Sequence, residues 1–402
     1  MPADTETEVQ DQRISWPAII VIYLATVLSM AAVGVVAALT LDLASAFGVT
    51  KKAVGLALSV YSLPSAVAAL LCGGIIDRFG PKRVILVSCG LAALAEVVAT
   101  LLHSMPGLTF SLLLSGIGYT GISVSAPVMF VAAAAGGRRV RAMSLWSTYA
   151  PTGFAAGLLL AAPFAGSSHW APPLLIHGGL MALVTAAAAV LLPSPPSLGR
   201  TSLRAQLRGF ANVFAEAPVL RLALTAAIPC ALSYGTSLVA PAYLAQAHGV
   251  AMGASATGVA VVKGAAMALC GLATGAVLAR SPNIPRLFTG LAILGVAAQV
   301  AVFWPGSSFG FAIVGLGAWL IAYGGITGVA MSLLPTVIRS PSQSGAASGL
   351  VGQTMSIFSF VAPTVYFGLQ GWTGFVVLAG LGLAISVIAL PAWGRRQAPA
   401  VA

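Results

Sequence analysis

Charge is what this chain of 402 residues has least of: Asp, Glu, Lys and Arg together make up 7% of it. A water-soluble domain carries about a quarter charged residues, so a soluble globular protein is excluded. The lysines are confined to Lys51, Lys52, Lys82 and Lys263. None sits in the glycine-rich spacing that cradles phosphates, so the chain is not expected to hydrolyse ATP by itself. Cys72, Cys89, Cys230 and Cys270 form no C-x-x-C pair and read as small apolar residues inside or at the edges of apolar segments. His103, His169, His177 and His248 build no H-E-x-x-H pattern, so no metal, haem or other cofactor is expected. Charges this sparse leave no acid, base and nucleophile constellation, which argues against an enzyme, and no selectivity-filter signature points to a channel.

Apolar residues are there in excess, at 59% of the chain, with a mean hydropathy of +1.00. A lipid-spanning helix needs about 20 predominantly apolar residues, and lipid admits only helices or closed barrels because every backbone group must bond internally. Period-two alternation is absent, so the chain reads as an all-α membrane protein. Twelve spans are expected: 17–41, 53–76, 84–104, 107–135, 142–165 and 171–192, then 222–247, 254–279, 287–305, 308–334, 343–368 and 371–393.

Basic residues set the orientation. With the N-terminus inside, Arg13, Arg78, Lys82, Arg83, Arg138, Arg139, Arg141, Arg200, Arg204, Arg208, Arg221, Arg280, Arg286, Arg339, Arg395 and Arg396 all fall on the cytoplasmic side, leaving Lys51 and Lys52 outside and Lys263 within a span. Both tails, 1–15 and 394–402, are then cytoplasmic. The net charge of +11 follows from this asymmetry and gives no reason to invoke nucleic acid. The acidic N-terminal tail, with Asp4, Glu6, Glu8 and Asp11, has the wrong charge for a secretory signal.

A polar stretch, 193–218, divides the chain into segments 16–192 and 219–393. Setting Gly55 against Gly258, a shift of 203, lays Asp77 on Arg280 and Arg83 on Arg286. The charged turn after the second span thus recurs, decayed, after the eighth, as expected of two six-helix pseudo-repeats.

That turn reads Gly73-Gly74-Ile75-Ile76-Asp77-Arg78-Phe79-Gly80-Pro81-Lys82-Arg83. Gly73 and Gly74 are expected to let helix backbones approach closely, Gly80-Pro81 to turn the chain, and Arg78, Lys82 and Arg83 to sit among anionic headgroups. The spacing Gly-x-x-x-Asp-Arg-x-Gly followed by basic residues resembles the loop between helices 2 and 3 of the major facilitator superfamily of secondary transporters. The resemblance implies a twelve-helix, two-half fold, alternating access to a midplane site, and transport driven by a gradient of protons or of counter-substrate in a bacterial inner membrane. It implies a small-molecule substrate, membrane lipids as surroundings and a functional monomer. It also implies a gating role for Asp77 through the start of helix 11.

Charges inside a span are costly and are read as functional candidates. Lys263 lies about nine residues, roughly 13 Å, into the eighth span. It either meets an anionic substrate or snorkels to the headgroups. Lone basic residues on this helix bind carboxylates in organic-anion exchangers of the superfamily, so the resemblance implies a small organic anion. Glu96 lies about 18 Å into the third span and is a candidate for proton coupling or for a structural bond. Asp42, at the outer end of the first span beside Lys51 and Lys52, reads chiefly as an exposed interfacial carboxylate and secondarily as a proton carrier. Tyr23, Tyr61, Tyr119, Trp146, Tyr149, Tyr234, Tyr323 and Gln353 are candidate cavity contacts.

The segment Ala142–Gly153 resembles helix 5 of cyanate-permease-like members. Leu112 stands four residues before Gly116, where many proton-coupled exporters carry arginine, and Pro151-Thr152-Gly153 with Gly157 departs from the drug-exporter run. Proton-driven multidrug efflux is therefore the alternative reading.

Overall fold

The computed structural model of the chain describes residues 14–194, 214, 216–280, 283–338 and 344–391. Residues 1–13 and 392–402, Arg200, Arg204 and Arg208 of the central stretch, and Arg339 fall outside them, as do the side chains of Cys270 and Arg280. The described secondary structure is entirely helical: α1 Trp16–Ala38, α2 Thr40–Ala46, α3 Lys51–Phe79, α4 Pro81–Leu102, α5 Met105–Ala133, α6 Gly136–Trp146, α7 Tyr149–Ala161 and α8 Ala171–Leu191. After the central stretch come α9 Ala217–His248, α10 Met252–Arg280, α11 Ile284–Phe303, α12 Phe309–Ser332, α13 Leu334–Val337, α14 Ser344–Gly368 and α15 Gly371–Ala389. Nine of these stretches are long and apolar enough to cross a membrane, or ten if α2 and the first part of α3 count as one bent span. Each expected span overlaps described helix, the first, fifth and tenth each overlapping two.

Short polar residues open the rods where the sequence turns apolar. The backbone N–H groups of Ala18, Ala53, Gly107 and Phe311 donate to the side-chain oxygens of Ser15, Thr50, Ser104 and Ser308. Each bond satisfies a donor that a helix start would otherwise leave open to lipid headgroups. Gly80 joins α3 to α4 at φ +81°, a conformation that favours glycine, and Pro81 opens α4 where its missing N–H costs no helical bond.

The fifth span differs from the single helix expected over 142–165. It begins at Gly136 and breaks between Trp146 and Tyr149. The cause is local: Ser147 and Thr148 hydroxyls donate back to the carbonyls of Ser144 and Leu145, and Pro151 offers no N–H to the turn before it.

Close packing holds α1 on α7. A Cβ at Gly157 would stand 2.0 Å from Ala31 O, and one at Gly153 would stand 2.2 Å from Val27 O. Only glycine lets these backbones meet. At Gly74, by contrast, no described atom lies within 4 Å of where a Cβ would stand.

Two crossings make most of the contact between the segments on either side of the central stretch. Helix α3 packs on α14, where Ser59 and Thr364 hydroxyls bond at 2.8 Å, and α10 packs on α7, where a Cβ at Gly253 would meet Ala162 O. At the same end, remote from the Asp77 turn, Lys51 Nζ donates to Gln246 Oε1 at 2.8 Å, and Met252, Ala242 and Ala245 pack with Leu41 and Ala165. Nearer the middle, Gln353 Nε2 donates to the carbonyls of Ser65 and Ala66. Beyond Gln353 towards the Asp77 turn, no hydrogen bond joins the two segments among the described residues.

Asp42 is not the exposed carboxylate expected at the end of the first span. It is 8% exposed and accepts from Gly166 N at 3.1 and 2.9 Å and from Ser168 N at 3.2 Å. The loop after α7 folds over it, with Gly166 at φ +81° and Ser168 at φ 60°. Lys51, its neighbour in sequence, is engaged elsewhere. Because these are charge-assisted bonds to backbone donors, Asp42→Ala is expected to cost about 1–3 kcal/mol of stability. Thermal unfolding of the purified protein reads this, and an unchanged midpoint would mean that the loop holds itself.

Candidate functional site

The crossings enclose a cavity of about 740 Å³ between the two segments. Its polar lining comes from hydroxyls at helical spacing: Ser62 and Ser65 on α3, Ser356 and Ser359 on α14, and Ser233 one turn beyond Cys230 on α9. Intervals of three residues place such groups on one helix face. The sequence reading passed over these serines, although their spacing was visible.

Lys263 stands eleven residues into α10, about 17 Å from that helix's start. Its side chain is part of the cavity lining. Nζ donates to Ser237 Oγ on α9 at 2.7 Å and lies 4.5 Å from the centroid of Phe154 on α7. A desolvated ammonium over a ring face gains a cation–π contact, but neither neighbour carries a negative charge. No acidic residue lines the cavity among the described residues. Ser237 and Phe154 were also missed at the sequence level, since each is recognisable only once α9 and α7 are seen flanking α10.

Of the aromatic and amide candidates, Tyr61, Tyr119, Tyr149, Tyr234, Tyr323 and Gln353 line the same cavity as Lys263. Tyr119 and Tyr149 hydroxyls bond at 3.0 Å, and the Tyr61 ring lies 5.4 Å from that of Tyr119. Tyr61 donates to Ser29 O at 2.7 Å, which ties the wall to α1. Tyr23 and Trp146 lie outside the lining. Tyr23 bonds Thr148 Oγ1 at 2.9 Å, bracing the break between α6 and α7, and Trp146 packs 5.1 Å from the Tyr149 ring.

Glu96 is not part of the cavity lining. It is 3% exposed, and its Oε1 lies 2.8 Å from Nδ1 of the fully buried His177 on α8. His177 Nε2 lies 2.7 Å from Leu28 O on α1. A carbonyl only accepts, so Nε2 carries a proton, and one further proton is shared between Nδ1 and the Glu96 carboxyl. The pair is neutral overall. Gly178 allows the approach, because a Cβ there would stand 3.0 Å from Glu96 Cβ.

The shift of 203 residues that aligns Gly55 with Gly258 also lays Glu96 on Gln299. Gln299, fully buried on α11, donates from Nε2 to Thr236 Oγ1 on α9 at 3.0 Å. Equivalent places in the two segments thus carry a buried polar pin, ionisable in one and neutral in the other.

In the charged turn, Asp77 is half-buried and the Arg78 guanidinium lies 5.2 Å from the Phe79 ring. Lys82 is half-buried and Arg83 exposed, at the same end as Arg138, which donates to Ile14 O at 3.0 Å. Residues 339–343, leading into α14, where Asp77 is expected to act, lie outside the described residues. Gly73 lies within α3.

No curated protein matches this sequence significantly. Among solved structures, the chain is similar to a bacterial homolog of the human lysosomal transporter Spinster in an inward-facing, unoccupied conformation. The identity is 17% over 93% of this chain and 94% of that one, with a TM-score of 0.72. It is also similar to the nucleoside transporter NupG, at 16% identity over 94% and 99% with a TM-score of 0.73. A D-xylose–proton symporter matches at 13% identity over 92% and 97% with a TM-score of 0.71. These identities support a common fold, and the sequence itself matches the family profile of the Major Facilitator Superfamily over residues 22–363. The chain, a multi-pass helical membrane protein with a cavity between its two segments, belongs to the Major Facilitator Superfamily of transporters.

Proposed function

We propose that this protein moves a small organic anion across a bacterial inner membrane by alternating access, coupled to protons or to counter-substrate, as a functional monomer. The observation that carries this reading is Lys263. Its ammonium borders a cavity whose described lining holds no acid, and its described partners are one hydroxyl and one ring. Half-buried and without a charged partner among the described lining, the ammonium is left with a counter-charge to gain, and a bound carboxylate would supply it. The alternative, efflux of apolar cationic drugs, would suit the aromatic wall but sets substrate and lysine at the same sign.

The halves of this mechanism are 16–192 and 219–393, with both tails and the basic Asp77 turn in the cytoplasm. In that orientation the Lys51–Gln246 and Ser59–Thr364 bonds close the outer side, which makes this the inward-facing arrangement. Asp77 then acts in the other state, as a carboxylate near the N-terminus of α14.

Reconstitution in proteoliposomes tests both points. Saturable accumulation of a labelled carboxylate is expected under an imposed proton gradient or against counter-substrate inside. Asp77→Asn is expected to slow it while leaving expression and melting unchanged, and Arg78→Ala to act in the same direction. Saturable export of apolar cations with no carboxylate uptake would replace this reading by the alternative, and normal turnover in the Asp77 variant would remove the gating role.

A further inference from the structure

The proposed function leaves the anion's valence and shape open, and the lining constrains both. Within the twelve spans the sequence places a single cationic side chain, Lys263. The acidic residues nearest the membrane interior are spoken for, Glu96 by His177 and Asp42 by the loop after α7. An ammonium has three N–H donors. One is directed at Ser237 Oγ and one side of the group is covered by the Phe154 ring, which leaves room for a single carboxylate.

Shape follows from the remaining wall. A cavity of about 740 Å³ is far larger than a one- or two-carbon anion fills. Six rings border it: Tyr61, Tyr119, Tyr149 and Phe154 from one segment, Tyr234 and Tyr323 from the other. Tyr119 is tilted against both neighbours, by 34° to Tyr61 and 46° to Tyr149. Rings splayed in this way present faces to a flat guest, and offset or edge contacts with an aromatic partner add to the gain from simple burial.

We infer that the transported species is a monoanion with an aromatic body, an aryl or arylalkyl monocarboxylate whose single charge meets Lys263 and whose ring lies among the tyrosines. The inference rests on the anion reading above. A second negative charge would enter the cavity with no cation to receive it, and a one-charge site discriminates against it by desolvation alone.

The test uses the purified full-length protein in detergent and four probes of one skeleton: phenylacetate, phenylmalonate, cyclohexylacetate and phenylacetamide. Phenylacetate is expected to raise the melting temperature saturably, and phenylmalonate as a dianion to bind at least about tenfold more weakly. Cyclohexylacetate should bind more weakly than phenylacetate in the wild type. Tyr149→Leu should erase that aryl preference, and Tyr149→Phe should keep it.

Equal or tighter binding of phenylmalonate overturns the single-charge assignment while leaving the anion reading standing. Equal binding of cyclohexylacetate, or an aryl preference that survives Tyr149→Leu, overturns the aromatic-body assignment alone. If phenylacetamide binds as well as phenylacetate, or no anion shifts the melt, the anion reading falls and this inference with it.

Discussion

Lys263→Ala is expected to abolish saturable anion uptake. Truncating one partner of a desolvated charge pair leaves the substrate carboxylate without its counter-charge and costs roughly 2–5 kcal/mol of binding, or about 30- to 4,000-fold at 1.4 kcal/mol per decade. Lys263→Arg should keep part of the activity. Charge persists, but a planar fork replaces a compact point donor that now fits between Ser237 and the Phe154 ring. A lysine that only filled space would behave otherwise, with alanine nearly silent. Initial uptake rates normalised to surface expression decide between these, and wild-type kinetics in the alanine variant would transfer the argument to drug efflux.

The second large effect concerns stability. Either Glu96→Ala or His177→Ala leaves a buried polar partner unsatisfied between α4, α8 and α1, at a cost of about 3–5 kcal/mol. Removing both is expected to cost less than the sum, because no orphan remains. Glu96→Gln should be mild, since the amide can still bond His177 and the equivalent place in the other segment already holds Gln299 against Thr236. Melting of the four variants in one detergent closes the cycle, and additive losses would show that the two side chains do not act as a unit.

How far the sequence reached depends on the range of the interaction concerned. Spans follow from local composition, and each of the twelve overlaps described helix, because lipid leaves the backbone no other way to satisfy itself. The break at Ser147–Thr148 was missed because it depends on hydroxyls turning back onto their own carbonyls, which an apolar count ignores. Asp42 was misjudged because its sequence neighbours, Lys51 and Lys52, looked like its partners, whereas its donors lie 124 and 126 residues further on. Glu96 was legible as a buried acid but its partner was not. His177 fits no ligand motif, and spacing carries no signal across 81 residues. Among the cavity candidates, aromatic type alone could not separate Tyr149, which lines the cavity, from Trp146, which packs behind it.

The two polar pins also differ in the order in which a ribosome makes them. Gln299 emerges 63 residues after Thr236, so the amide enters the membrane with its partner already present. Glu96 emerges 81 residues before His177. At about 5–20 residues per second, α4 waits roughly 4–16 s in or beside the translocon before α8 can answer its carboxyl. During that interval the acid faces an insertion cost of about 3 kcal/mol unless it travels protonated. The buried acid of the first segment is thus synthesised ahead of its partner, whereas the buried amide of the second follows its own.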